Sequence, residues 1–405
     1  MIKNLLTNNN IQQKYLDKNI LKKFLKRFDK ITKDINNDIS NPKKTLNVLN
    51  KNFKFNFQIK DLKKFKNYKT ISVIGMGGSI LGAEAINNFF RKKINKNIYF
   101  FDDLNEAKIL TLKKQKSLSK VLFIIISKSG NTIETLSNFI ALDIIKKNSK
   151  NIIIISEKKN NLLYSISEKF NLFYIEHKNH IGGRYSVLSE VGIVPAYLMG
   201  INIFKLRSEI SSILRTKEKF FLKESVLKLA CLLTKKKISN LVFLNYSSEL
   251  EKFLFWCQQL IAESLGKKGK GFLPIISNVP KDHHSLLQLY LDGPKDKLFH
   301  IFSIKEKSKR KIKLKKITNT NKHLNNKTLG TIKEAQKNAL IKTFKKNNIP
   351  FREFIINKAS EEVLGKLFSY FIFETVIIGK LVTINPFDQD AVEEVKIYTK
   401  NYLIK

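Results

Sequence analysis

Two apolar, β-branched runs, Thr70-Ile71-Ser72-Val73-Ile74 and Val121-Leu122-Phe123-Ile124-Ile125-Ile126, each lead into a short loop and then a helix-forming stretch. Such runs read as parallel strands buried on both faces, so a strand, loop and helix used twice calls for a sheet covered by helices. The loops are Gly75-Met76-Gly77-Gly78-Ser79 and Ser127-Lys128-Ser129-Gly130-Asn131-Thr132. Glycine lets the backbone approach an anion, first-turn N–H groups donate to it, and the helix dipole adds attraction. With the hydroxyls of Ser79, Ser127, Ser129 and Thr132 as further donors, the two loops form a paired site for one phosphate. Alone, the first loop also fits a tight strand-to-helix turn or part of a dinucleotide fingerprint, although Ile80 stands where the last glycine of that fingerprint belongs. The serine and threonine cluster of the second loop favours phosphate.

Alternating strand-like and helical stretches continue around these loops. Strands are expected near 71–74, 98–101, 121–126, 152–155 and 172–175, and a second series near 241–244, 273–276 and 298–304. This is an α/β chain with two parallel-sheet domains. Residues 1–66, which contain no glycine and place Leu21, Phe24, Leu25 and Phe28 at helical spacing, read as an N-terminal helical cap. The expected divisions are 1–66, 67–205, 206–380 and a C-terminal loop and helix over 381–405.

At 405 residues with 43% hydrophobic content, the chain can bury two sizeable cores. Its two cysteines, Cys231 and Cys257, support neither a disulfide framework nor a cysteine-rich zinc site and fit a reducing compartment. The first residues lack the apolar core of a secretory signal, and the apolar stretches near 187–204 and 363–384 are broken by charges, so a cytoplasmic protein without membrane spans is expected. The formal charge of +41 raises nucleic acid as a partner. The lysines are spread through nearly every segment, however, and the one dense block, 305–316, lacks interleaved aromatic residues. No specific nucleic-acid partner is expected, and a broad positive field would steer a phosphate dianion.

Two further segments carry residues suited to chemistry. Glu263 lies near the end of an apolar helical run, Gln258-Gln259-Leu260-Ile261-Ala262-Glu263, where partial burial would suit its carboxylate to proton abstraction; a surface glutamate is the plainer alternative. Arg184 follows two glycines in Gly182-Gly183-Arg184-Tyr185-Ser186, which lets a guanidinium face developing negative charge or bridge two domains. His177 and His180 are spaced i, i+3, and His283 and His284 are adjacent, but neither pair has a third ligand, so no metal is expected.

Taken together, these segments resemble the glucose-6-phosphate isomerase (phosphoglucose isomerase) family, from about residue 70 to the end. The most specific motifs are Gly182-Gly183-Arg184-Tyr185-Ser186-Val187-Leu188-Ser189 and Asn385-Pro386-Phe387-Asp388-Gln389-Asp390-Ala391-Val392-Glu393, followed by Lys396. The resemblance implies two sugar-isomerase (SIS) domains and an aldose–ketose interconversion of glucose 6-phosphate and fructose 6-phosphate without a cofactor. It implies that Ser79, Ser127, Lys128, Ser129 and Thr132, with the Gly77-Gly78 loop, bind the substrate phosphate, and that Gln259 and Gln389 close over it. Glu263 would move a proton between C2 and C1 through a cis-enediolate that Arg184 stabilises. His284 and Lys396 would assist ring opening, with Glu134 orienting the histidine, and the assembly would be a homodimer with shared active sites. Asn131 stands where the family usually has threonine, and His283 precedes His284 where another residue is usual. Two alternatives share part of these features: a bifunctional phosphoglucose/phosphomannose isomerase, and a phosphosugar-binding regulator with one such domain.

Overall fold

A computed structural model of the protein describes residues 5–115, 117–215, 218–305, 310–313 and 322–404. Within them, ten strands form two five-stranded sheets. They are β1 (Leu5–Asn10), β2 (Thr70–Ile74), β3 (Asn97–Phe101), β4 (Val121–Ile126), β5 (Ile152–Ser156), β6 (Phe173–Glu176), β7 (Asn240–Asn245), β8 (Leu273–Asn278), β9 (Lys297–Ile304) and β10 (Phe351–Ile356).

The first sheet has the order β3-β2-β4-β5-β6 and is parallel throughout. Every residue of β2, β4 and β5 is buried, as their largely apolar, β-branched sequences require once helices cover both faces. Read from its other edge, the second sheet runs β8-β7-β9-β10-β1, with the first four strands parallel. Its first four positions therefore repeat the winding of β3-β2-β4-β5. The fold is α/β, with two parallel-sheet layers flanked by helices.

The first 66 residues are not helical throughout. Leu5–Asn10 is a strand, paired antiparallel to β10 with Leu5 opposite Ile356 and Asn10 opposite Phe351. The open edge of β10 supplies a row of backbone partners, and that long-range pairing sets the conformation of a segment whose local sequence has no periodic signal. The helical expectation holds further on. The helix Lys18–Ser40 starts at Asp17, whose side chain accepts from the N–H groups of Asn19 and Ile20, and it buries Phe24, Phe28, Ile31, Ile35 and Ile39. Arg27 on this helix donates to the carbonyls of Leu381 and Lys380 at 2.6 and 2.9 Å, capping the end of the long helix Glu361–Leu381.

The helix Glu361–Leu381 is buried along almost its whole length, and β10 packs Arg352 towards it. Burial of that charge is offset by Glu374, whose carboxylate accepts from Nη2 at 2.7 Å and Nη1 at 3.2 Å, and by Tyr370 Oη at 2.8 Å. One continuous apolar core joins this helix to the helices Glu251–Leu265 and Leu81–Phe89, which pack together between the sheets. The C-terminal helix, Glu393–Ile404, contributes nothing to that core and buries no residue. Among the described residues no helix is long and apolar enough to cross a membrane. The basic block at 305–316 lies largely outside the described residues.

Candidate active site

Arg184 and Glu263 reach one point from opposite halves of the chain. Arg184 follows β6 in the 3-10 turn Gly183–Leu188, whereas Glu263 lies in the last turn of the helix Glu251–Leu265 that follows β7. The Arg184 side chain is 1% exposed, and its Nη1 stands 3.2 Å from Oε2 of Glu263, which is 31% exposed. The other guanidinium groups are also used. Nε donates to Ser264 Oγ at 2.8 Å, Nη2 donates to the carbonyls of Pro386 and Asp388 at 2.8 and 2.9 Å, and Nη1 also donates to Oε1 of Gln389. A planar fork saturated in this way has one available orientation.

Three residues to which the sequence assigns no role support that fork. Ser264 follows Glu263 in the helix, and Tyr185 Oη lies 2.9 Å from Ser264 Oγ and donates to the Pro386 carbonyl at 2.8 Å. Lys267 donates to the carbonyls of Asn385 and Asp388 at 2.7 and 2.6 Å and pairs with the Asp388 carboxylate at 2.6 Å. Its hydrogen bond holds the Asp388 carboxyl below the usual carboxylate range. Their one sequence signal is adjacency to Arg184 and Glu263.

Glu263 is held from its other side too. Gln259, one turn earlier, donates to Oε1 of Glu263 at 2.9 Å, while its own Oε1 is buried without a hydrogen-bond partner among the described residues. Above Gln259 passes the first glycine loop, where Gly77 has φ +51° and a Cβ added there would meet Gln259 Nε2 at 2.7 Å. Gly78 rests directly on the arginine turn, because a Cβ on it would fall 2.2 Å from the carbonyl carbon of Gly183 and 2.5 Å from the amide nitrogen of Arg184. Ser79 ends this 3-10 turn, half-buried, before the helix Leu81–Phe89.

The second loop runs beside the first. The Ile126 carbonyl lies 2.9 Å from where a Cβ on Gly75 would stand. Ser127 Oγ and Thr132 Oγ1 are 2.8 Å apart, Gly130 N–H donates to Ser127 Oγ at 3.2 Å, and Asn131 N–H donates to Ser129 Oγ at 3.3 Å. Thr132 opens the helix Ile133–Ala141, with half-buried Glu134 in its first turn. Asn131, which departs from the family pattern, accepts from the N–H of Leu162 at 2.9 Å and so ties the loop to the next helix. Lys128 Nζ stands 3.7 Å from Glu157. Burial, aided by Lys159 and Arg184, pulls the Lys128 ammonium below its usual value against the attraction of Glu157.

His284 and Lys396 are not brought into this cluster within one chain. His284 is exposed at the end of the 3-10 turn Lys281–His284 after β8, and its half-buried neighbour His283 places Nε2 3.1 Å from Tyr246 Oη. Burial and the adjacent His284 pull the His283 imidazole below its usual value, against Asp282. Lys396 pairs with Glu393 at 2.6 Å on the exposed C-terminal helix. His177 is buried, donates through Nε2 to the Ile181 carbonyl at 3.1 Å, and has its pKa pushed down to about 3 by burial. Among the described residues no group of three or more His, Cys, Asp or Glu is placed to hold a metal.

Comparison with known proteins finds relatives over most of the chain. The family described as phosphoglucose isomerase matches residues 29–272. A probable glucose-6-phosphate isomerase of Methanococcus maripaludis is 34% identical over 86% of this chain and 81% of its own length. The glucose-6-phosphate isomerase of Campylobacter jejuni is 32% identical over 89% of this chain and 90% of its own. A hypothetical protein from Thermus thermophilus shares the fold with a TM-score of 0.84 at 23% identity, over 99% of this chain and 100% of its own. A glucose-6-phosphate isomerase from Chlamydia trachomatis shares it with a TM-score of 0.71 at 18% identity, over 85% and 71%. With the arginine turn, the glutamate helix and both loops inside or beside the matched span, the chain belongs to the phosphoglucose isomerase family.

Proposed function

We propose that this protein interconverts glucose 6-phosphate and fructose 6-phosphate, and that the Arg184–Glu263 pair is its chemical centre. The observation that carries this reading is the 3.2 Å contact between a fixed guanidinium and a carboxylate that keeps solvent access, beside two loops built for a phosphate. The reaction moves a carbonyl by one carbon. Glu263 takes the proton from C2 of the open-chain aldose and returns it to C1, while the O2 hydroxyl proton is lost and O1 gains one. The cis-enediolate formed between these steps carries negative charge on oxygen, and the fixed positive charge of the Arg184 guanidinium, whose N–H groups the protein already engages, stabilises it through space. Ser79, Ser127, Lys128, Ser129 and Thr132 anchor the phosphate, so that binding distant from C1 and C2 orients them. Gln259 positions Glu263, and Gln389 positions Arg184. The regulator alternative is not favoured, because a sensor needs neither this pair nor a second sheet.

Ring opening calls for an acid and a base near the ring oxygen and O1. We assign these to His284 and Lys396, with Glu134 orienting the histidine, and place them in the site of a second copy of the chain in a homodimer. Support for the shared arrangement comes from the exposure of both residues and from the exposed Val395, Ile397, Tyr402 and Leu403 on the C-terminal helix. A cytoplasmic setting accords with two free, buried cysteines. The test is conversion of fructose 6-phosphate in deuterated solvent, with and without a chelator, read by a coupled dehydrogenase assay and proton NMR. Glucose 6-phosphate carrying deuterium at C2 is expected at the same rate in both; absence of conversion, or conversion with no deuterium after prolonged equilibration, overturns the proposal.

A further inference from the structure

The two sheets share one winding, so the fold has two reversal points, and the glycine and hydroxyl loops occupy one of them. In the first sheet the chain passes from β2 to β3 on one side and then to β4 on the other, so its connections diverge between the C-terminal ends of β2 and β4, where both loops sit. In the second sheet it passes from β7 to β8 and then to β9 on the opposite side, diverging between β7 and β9. Open α/β sheets bind ligands in the crevice outside the strand ends at such a reversal.

A cleft of about 390 Å³ occupies that place. Tyr246, just after β7, and Lys305, at the end of β9, line one side, and the first turns of the helix Leu329–Lys346 line the other. Lys337 on that helix also lines the cleft and is 94% buried, its relative exposure being 6%. Its Nζ donates to Ser303 Oγ at 3.3 Å, and among the described residues no carboxylate lies within ion-pair distance of it. A buried ammonium satisfied by one hydroxyl retains two unused N–H donors and an uncompensated charge, which an anion would satisfy. Lys333 adds positive charge, and Glu334 is the one acid lining the cleft among the described residues. At the helix start Thr328 already accepts from the N–H of Thr331, so the charge for an anion comes from the lysines rather than from that cap.

We propose that this cleft is a second anion site, one per chain, that takes a phosphate group on Lys337. It is separate from the Thr132 site and does not depend on the isomerase reading.

Equilibrium dialysis of the full chain with labelled inorganic phosphate tests it by stoichiometry. Lys337→Gln is expected to bind one phosphate per chain fewer than the wild type, while Thr132→Val weakens a different phosphate and leaves the Lys337-dependent one unchanged. Lys337→Gln keeps the wild-type turnover. Thr331→Asp, on an exposed residue beside the cleft, provides a second variant that leaves the buried lysine in place, and it also loses one phosphate. A parallel arm with the phosphomonoester glycerol 2-phosphate separates the sources: tighter Lys337-dependent binding of the ester marks a metabolite's phosphate, and tighter binding of phosphate marks the free ion. Unchanged phosphate binding in Lys337→Gln overturns the proposal, and so does unchanged binding in Thr331→Asp where Lys337→Gln does not fold.

Discussion

Gly78→Ala tests whether the first glycine loop sets the position of Arg184. A Cβ on Gly78 would stand 2.2 Å from the carbonyl carbon of Gly183, and ordinary contact begins at 3.4 Å, so the two backbones must part by about 1.2 Å. Neither neighbour is a flexible side-chain tip that can swing aside; both atoms belong to the turn that carries the guanidinium. A shift of about 1 Å in a catalytic group costs on the order of 100-fold in rate, and overpacking costs about 1–3 kcal/mol of stability. The reciprocal change is informative, because a Cβ on Gly183 would come no nearer than 3.6 Å to Gly78 Cα. Coupled-assay turnover and urea denaturation of both variants are the measurements. Gly78→Ala is expected to lose about two orders of magnitude in kcat and to unfold at lower urea, while Gly183→Ala unfolds with the wild type. Wild-type turnover and midpoint for Gly78→Ala would show that the loops do not rest on each other as described.

Glu263→Gln keeps the side chain's size and removes its basicity, so turnover is expected to fall by roughly 10²- to 10⁴-fold with folding intact; near-normal turnover removes Glu263 from the role of base. Thr132→Val is expected to raise KM and to weaken inhibition by phosphorylated competitors together, since one donor to the dianion is lost, and an unchanged inhibition constant places the phosphate elsewhere. Equal amounts of Glu263→Gln and His284→Ala chains, refolded together, should recover about a quarter of wild-type activity if half the dimers are mixed and each has one intact site; absence of recovery despite subunit exchange puts both residues in one chain's site. His177 has a folded-state pKa of about 3 against an ordinary 6.5, so the unfolded chain takes its proton first and stability falls as pH drops from about 6.5 towards 3. The stability advantage of wild type over His177→Gln should therefore shrink by about 2 kcal/mol between pH 7 and pH 5; a constant difference in urea denaturation contradicts the burial described.

What the sequence reveals depends on whether the signal is local. The apolar runs of β2, β4 and β5 and the glycine and hydroxyl loops behind β2 and β4 declare themselves, because strand, turn and helix start are each encoded within a few residues. Strand β10 does not, since Arg352 and Glu353 interrupt its apolar pattern, and their partners lie far off in sequence: Glu374 and Tyr370 on a later helix for Arg352, and Asn8 on β1 for Glu353. Leu25 shows the same limit at finer scale: its spacing matches that of Phe24 and Phe28, yet it remains 45% exposed because the helix face turns away from the core there. In the site, Arg184 and Glu263 are marked by their motifs, whereas Ser264, Tyr185 and Lys267 gain importance only through what the fold places opposite them. His284 and Lys396 are legible by resemblance alone, for among the described residues no contact draws them to the other groups.

The pairing of β1 with β10 joins segments that leave the ribosome far apart in time. Asn8 and Glu353, which share a hydrogen bond across these strands, are separated by 345 residues. At ordinary translation speeds the earlier strand must wait on the order of 20–70 s for its partner to appear. During that interval it is tethered to a first sheet whose strands are complete once Glu176 has emerged, so one half of the molecule can mature while its leading segment stays extended. The waiting strand, Leu5-Leu6-Thr7-Asn8-Asn9-Asn10, carries no charge, so until it docks its unpaired backbone is open to pairing with other nascent chains. When it docks, it covers the exposed edge of β10, making closure of the second sheet a late checkpoint that a chain broken off early cannot pass.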